Sequence, residues 1–157
     1  MNAPLPPAPP LWPMMQVRCR VGPVVSLGPA PLGERRYVPI LGGEVDGPEL
    51  QGEVVEGGVD WQIARADGAL DIAAHYALRT RDGALVEVQS LGLRHGPPEV
   101  LARLARGEPV PREAYFFRTA MRFTTGAPAW DHLNRTMALA SGQRSADRVV
   151  LDVYRIG

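Results

Sequence analysis

The chain has 157 residues, 45% of them apolar and 22% charged, which suits one soluble globular domain with an adequate core. Seventeen basic residues balance seventeen acidic ones, so no net field draws the chain to nucleic acid or to an anionic membrane surface. No apolar run approaches the ~18 residues of a membrane-spanning helix, and a lone Cys19 excludes an internal disulfide and suits a reducing, cytoplasmic compartment.

Residues 1–14 are rich in Pro and Ala and lack the basic and apolar regions of a signal peptide. They read as a flexible extension, leaving 15–157 as the folded domain. Val17-Arg18-Cys19-Arg20-Val21 then alternates as a strand does, with Cys19 on the apolar side as a buried thiol. Strand patterns recur at 15–21, 23–30, 35–41, 49–56, 59–66, 69–80, 84–92, 115–124, 134–141 and 147–156. Gly and Pro fall mostly between these runs, as tight turns require. The class is all-β: a single-domain antiparallel β-barrel of about ten strands, because closure removes the exposed edges of so large a sheet. One short helix is expected. Pro97-Pro98 opens it, Glu99 favours its first turn, Arg103 and Arg106 its last, and Gly107 stops it. It lies in the long connection 95–114, as a lid over one barrel mouth or a plug for it.

Two Asp-Gly pairs, Asp67-Gly68 and Asp82-Gly83, mark hairpin corners in the middle of the chain. Taken as two-residue loops, they set Asp60 opposite His75, Tyr76 opposite Gln89 and His75 opposite Ser90. Trp61, Ile63, Ile72, Tyr76, Leu78 and Gln89 then share one face, while Asp60, Gln62, His75, Val88 and Ser90 share the other. Burial energy favours the bulky face as the interior, at roughly 1.5–3 kcal/mol per large apolar side chain. Trp61, Tyr76 and Gln89 would then line a cavity. The alternative is a polar lumen lined by Asp60, Gln62 and His75.

Several strings together resemble a family of bacterial and fungal proteins, the domain-of-unknown-function 3237 family, also called uncharacterised protein family 0311. They are Gly33-Glu34-Arg35-Arg36, Pro39-Ile40-Leu41-Gly42-Gly43, Leu50-Gln51-Gly52, Gly57-Gly58-Val59-Asp60-Trp61-Gln62, Tyr115-Phe116-Phe117-Arg118-Thr119 and Leu133-Asn134-Arg135. The resemblance spans roughly residues 16–156 and implies a soluble antiparallel barrel without a settled activity. Where the family pattern has an Arg-Tyr pair this chain has His75-Tyr76, and where it has Asn this chain has Ser90.

Phosphate-binding loops, nucleophile elbows and dinucleotide fingerprints are absent, so no cofactor is expected. His75, His95 and His132 lack metal-ligand spacing, so no metal site is expected either. Asp60 is the candidate acid or base, beside an aromatic that can raise its pKa; the alternative is a cap on the Gly57-Gly58 bend. Arg118, in an aromatic-rich strand, is the candidate anion stabiliser, or else an ion-pair partner of Asp71 or Asp152. Trp61, His75, Tyr76, Gln89, Tyr115, Arg36 and Asn134 are the candidate ligand contacts. Asn134 can equally hold a turn. The expected function is small-molecule binding, with a cofactor-free lyase, isomerase or cyclase step on a small carboxylate or aromatic metabolite. A ligand carrier or sensor, and a homo-oligomeric structural protein with a filled barrel, are the alternatives.

Overall fold

A computed structural model describes residues 3–157. All ten expected strands form: β1 (Leu11–Val21), β2 (Val25–Ala30), β3 (Gly33–Asp46), β4 (Gly52–Val54), β5 (Val59–Ala64), β6 (Leu70–Thr80), β7 (Leu85–His95), β8 (Phe116–Thr124), β9 (Met137–Arg144) and β10 (Arg148–Ile156). The sheet runs β1-β10-β9-β8-β7-β6; β5 joins β6 to β3, and β3 pairs with β1 to close the ring. Eight strands thus form an antiparallel barrel. The short β4 fills the same gap between β6 and β3 beyond β5, and β2 lies outside along the first half of β3.

The first strand starts earlier than its Pro-rich flank suggests. Pairing with β10 slips between Pro13 and Met15, and this bulge lets two consecutive residues, Met14 and Met15, turn inward and become buried. Leu11 to Met14 therefore belong to the barrel and not to an extension.

Both Asp-Gly corners have three-residue loops, not two. The Arg65 N–H donates to the Ala69 carbonyl (2.9 Å), and the Thr80 N–H to that of Ala84 (2.8 Å). A type I′ corner needs positive φ at both central residues. Here only Gly68 (89°) and Gly83 (90°) have it, and both aspartates keep negative φ. Each carboxylate has a local task instead: that of Asp67 accepts the Ala69 N–H at 3.0 Å, and that of Asp82 accepts from Thr80 and Trp130.

The added residue moves each register by one. Asp60 pairs with Ala74, His75 with Val59 and Gln89, and Tyr76 with Val88. Alternation then sends Asp60, Gln62, Tyr76 and Ser90 into the barrel and Trp61, His75 and Gln89 out of it. This corrects the expected faces: neither the bulky set nor the polar set holds together.

The predicted helix is α1 (Pro98–Ala105), with Pro98 in its first turn, Glu99 beside it and Gly107 beyond the end at φ 74°. Its Leu104 is buried, and Val100 and Leu101 pack on the core. A 3-10 helix over Pro128–Arg135 takes the first residues of the expected ninth strand, which starts at Met137. Among the described residues no helix is long and apolar enough to cross a membrane.

Inside the barrel the Phe117 ring lies on Gly142, where an added Cβ would stand 2.7 Å from three ring atoms. The glycine is required by this close approach, not by its backbone angles. Gly142→Val should lower unfolding stability by about 1–3 kcal/mol through overpacking, measured as a reduced urea midpoint with an unchanged slope.

Candidate functional site

The inward residues of β1, β3 and β5 to β10 enclose a cavity of about 40 Å³ lined by Asp60, Tyr76, Ser90, Thr119, Cys19 and Arg144 among apolar neighbours. That is room for two or three water molecules. A larger pocket of about 440 Å³ lies against it, lined by Arg36, Gln62, Arg94, Arg144 and the end of α1 from Leu104 to Gly107. Val38 and Arg144 line both spaces. The two spaces adjoin there in a funnel-like arrangement, wide and cationic outside and narrow at the carboxylate.

Four buried side-chain atoms have no hydrogen-bond partner among the described residues: Asp60 Oδ1, Tyr76 OH, Thr119 Oγ1 and Arg94 Nε. All four belong to residues that line this funnel. Tyr76 is 5% exposed and Thr119 4%. An orphaned buried polar atom costs about 1–3 kcal/mol, so four around these two spaces call for water or a ligand as partner.

The orientation of Asp60 is set by a short relay. Arg36 Nε donates to Gln62 Oε1 at 2.9 Å, and Gln62 Nε2 donates to Asp60 Oδ2 at 2.8 Å. Arginine has no acceptor, so the amide oxygen must face it and the amide nitrogen must face the carboxylate. Oδ2 is thereby occupied and Oδ1 is left for the cavity. Burial raises the Asp60 pKa from 3.8 to about 6, against the opposing effects of the Gln62 amide and the charges on Arg94 and Arg144. The Ala73 backbone N–H opposes it least, approaching the carboxyl without reaching hydrogen-bond geometry at Oδ1. A carboxyl of that strength can accept or donate a proton near neutral pH. Burial, with the nearby Asp60 charge, also pushes the Cys19 thiol up to about 12, which makes it inert as a nucleophile. Tyr76 is likewise raised, first by burial, and stays a neutral hydroxyl.

Three of the nine candidate residues line the funnel: Asp60, Tyr76 and Arg36. Tyr115 is buried nearby, where its hydroxyl accepts the Arg144 backbone N–H at 2.8 Å and so fixes that end of β9. The other five stand elsewhere. Trp61 packs outside against Tyr37 and beneath Arg35. His75 pairs with Glu87 at 2.7 Å on the outer wall and not with Asp60, and its strand neighbour Gln89 is exposed. Arg118 also points outward, because Phe117 and Thr119 on either side of it point in; its guanidinium lies over Phe116. It cannot stabilise an anion beside Asp60. Asn134 holds a turn, giving and accepting hydrogen bonds with the Thr125 backbone at 3.0 and 2.8 Å. Among the described residues no three metal-ligating side chains stand together.

Gln62, Ser90, Thr119, Arg94 and Arg144 complete the site. Arg144 ends the run Ala138-Leu139-Ala140-Ser141-Gly142-Gln143-Arg144, whose small even-numbered residues point inward. That parity is the signal that places it in the barrel.

The family model described as a protein of unknown function, DUF3237, matches residues 9–156. The chain belongs to the DUF3237 family. A UPF0311 protein of Rhodopseudomonas palustris is 44% identical over 140 residues, covering 89% of this chain and 92% of that one. A crystal structure from that organism superposes with a TM-score of 0.93 at 41% identity, covering 97% of this chain and all of the other. The crystal structure of a protein described as β-barrel-like, from Acinetobacter baumannii, gives 0.84 at 37% identity over 98% and 99% of the two chains. An enzyme from Penicillium herquei shares the fold at a TM-score of 0.73 and 20% identity, over 99% and 100%.

The raised Asp60 pKa has a consequence for stability in this family member. Between pH 3.8 and about 6 the folded chain holds a proton that the unfolded chain has released. The Asp60 contribution to stability therefore falls as pH rises through that window, by up to about 3 kcal/mol. Asp60→Asn should remove this slope and be more stable than wild type at pH 7.5, with the difference shrinking by pH 4; urea unfolding at the two pH values checks it.

Proposed function

We propose that the barrel binds a small carboxylate or aromatic metabolite in the funnel and moves a proton on it, as a cofactor-free lyase, isomerase or cyclase. The observation that carries this reading is the set of four unpartnered buried polar atoms on residues lining two adjoining spaces. Asp60 Oδ1 is the proton-transfer atom, since Oδ2 is held by Gln62. Tyr76 and Thr119 hydroxyls orient the reacting end by hydrogen bonds inside a low-dielectric chamber. Arg94 and Arg144 supply positive charge that favours an anionic ligand at the mouth. This gives Arg118's expected role to residues on the correct side of the wall. A protein of the same fold from Penicillium herquei is called an enzyme, which supports the catalytic reading.

A thermal-shift screen of carboxylic and aromatic metabolites, followed by product analysis of each hit, tests the reading. Asp60→Asn should bind the hit within a few-fold of wild type and lose turnover by about 10²–10⁴-fold. Tyr76→Phe should weaken binding. Turnover unchanged in Asp60→Asn contradicts the assignment, and binding with no conversion of any hit identifies a carrier instead.

A further inference from the structure

The cationic mouth has a charge imbalance that points to one class of ligand. Arg36 is balanced by Glu34 at 3.6 Å, and Arg106 by Glu108 at 2.8 Å. Among the described residues neither Arg94 nor Arg144 has a carboxylate within ion-pair distance. Arg144 reaches only the Ala146 carbonyl, at 3.4 Å, and the buried Arg94 Nε has no acceptor. The groups around them are Arg36, Asp60, Tyr115 and Asp147. Asp147 sits in the exposed turn between β9 and β10, where water screens it. Two half-buried guanidiniums thus face one ionised Asp60, an excess of a single positive charge.

We propose, building on the reading above, that Arg94 and Arg144 form the recognition site for a monocarboxylate, with the rest of the ligand directed down the funnel toward Asp60. Planar guanidiniums match a carboxylate with two parallel hydrogen bonds. One negative charge neutralises the excess, whereas a phosphate dianion overshoots it. The volumes set the polarity of binding. The mouth at about 440 Å³ admits a carboxylate with a bulky body, while the inner cavity at about 40 Å³ admits only a small reacting end. Burial together with the charges of Arg144 and Arg36 already lowers the Arg94 pKa to about 10, the mark of a cation without its counter-ion.

Calorimetric titration of the full chain with benzoate, benzamide and inorganic phosphate tests the proposal. Benzoate should bind at least about tenfold tighter than its uncharged amide, and tighter than phosphate. Arg94→Gln and Arg144→Gln should each weaken benzoate by about tenfold or more, with Arg118→Gln on the outer wall unchanged. The same two site variants should melt at or above the wild-type temperature without ligand, because each relieves an unpaired, partly buried charge. No benzoate binding at millimolar concentration, equal binding of benzamide, preferential binding of phosphate, or wild-type benzoate affinity in both variants would overturn the assignment. A fall in the melting temperature of both ligand-free variants would overturn it too, by making the guanidiniums structural. Asp60→Asn should hold benzoate at least as tightly as wild type, so loss of proton transfer and loss of anion recognition are read on different variants.

Discussion

Strand register decides which chemistry this barrel contains. Asp60, Tyr76, Ser90 and Thr119 face one another because each lies on the inward parity of its own strand, and a slip of one residue would turn any of them to solvent. The register is held at the two Asp-Gly corners, where Gly68 and Gly83 supply the positive φ and the aspartates accept local hydrogen bonds. Closure between β3 and β1 then locks the ring, since a closed sheet cannot slide one pair without shearing the others.

Within that frame the funnel is an arrangement of unmet polar demand. The Arg36-Gln62-Asp60 relay consumes one carboxylate oxygen and presents the other. Apolar walls from Val38, Ile40, Ile72 and Leu151 keep the local dielectric low, which raises Asp60 and strengthens every hydrogen bond made there. These groups oppose stability, and burial of the surrounding apolar core offsets them. Such local conflict is where a fold departs from the most stable sequence for its backbone.

Much of the architecture was legible in the chain. Alternation and turn chemistry located ten strands, and the Pro98, Glu99 and Gly107 signals located α1. The register was not legible, because an Asp-Gly pair serves both a two-residue type I′ corner and a three-residue corner ending in a left-handed glycine. That ambiguity puts Trp61 and Gln89 on the wrong side and sets His75 on the same face as Asp60. Asp60 and Tyr76 were recognised as chemistry-bearing residues but were assigned to opposite faces. Arg118 was favoured for its aromatic neighbours, although alternation with Phe117 and Thr119 puts it outside. Arg144 follows residues too small to advertise a buried face, and only their parity reveals it. Met14 was hidden by a bulge, which no period-two pattern can anticipate.

The central claim is that Asp60 is a carboxyl enclosed by the barrel, held by Gln62 at one oxygen and free at the other. Carbon-13 NMR of the Asp60 side-chain carboxyl, assigned by comparison with Asp60→Asn and followed from pH 3 to 8, observes that group directly. A titration midpoint near 6 is expected in the ligand-free protein. A midpoint near 4, as for a solvated aspartate, would contradict the enclosed site and everything built on it.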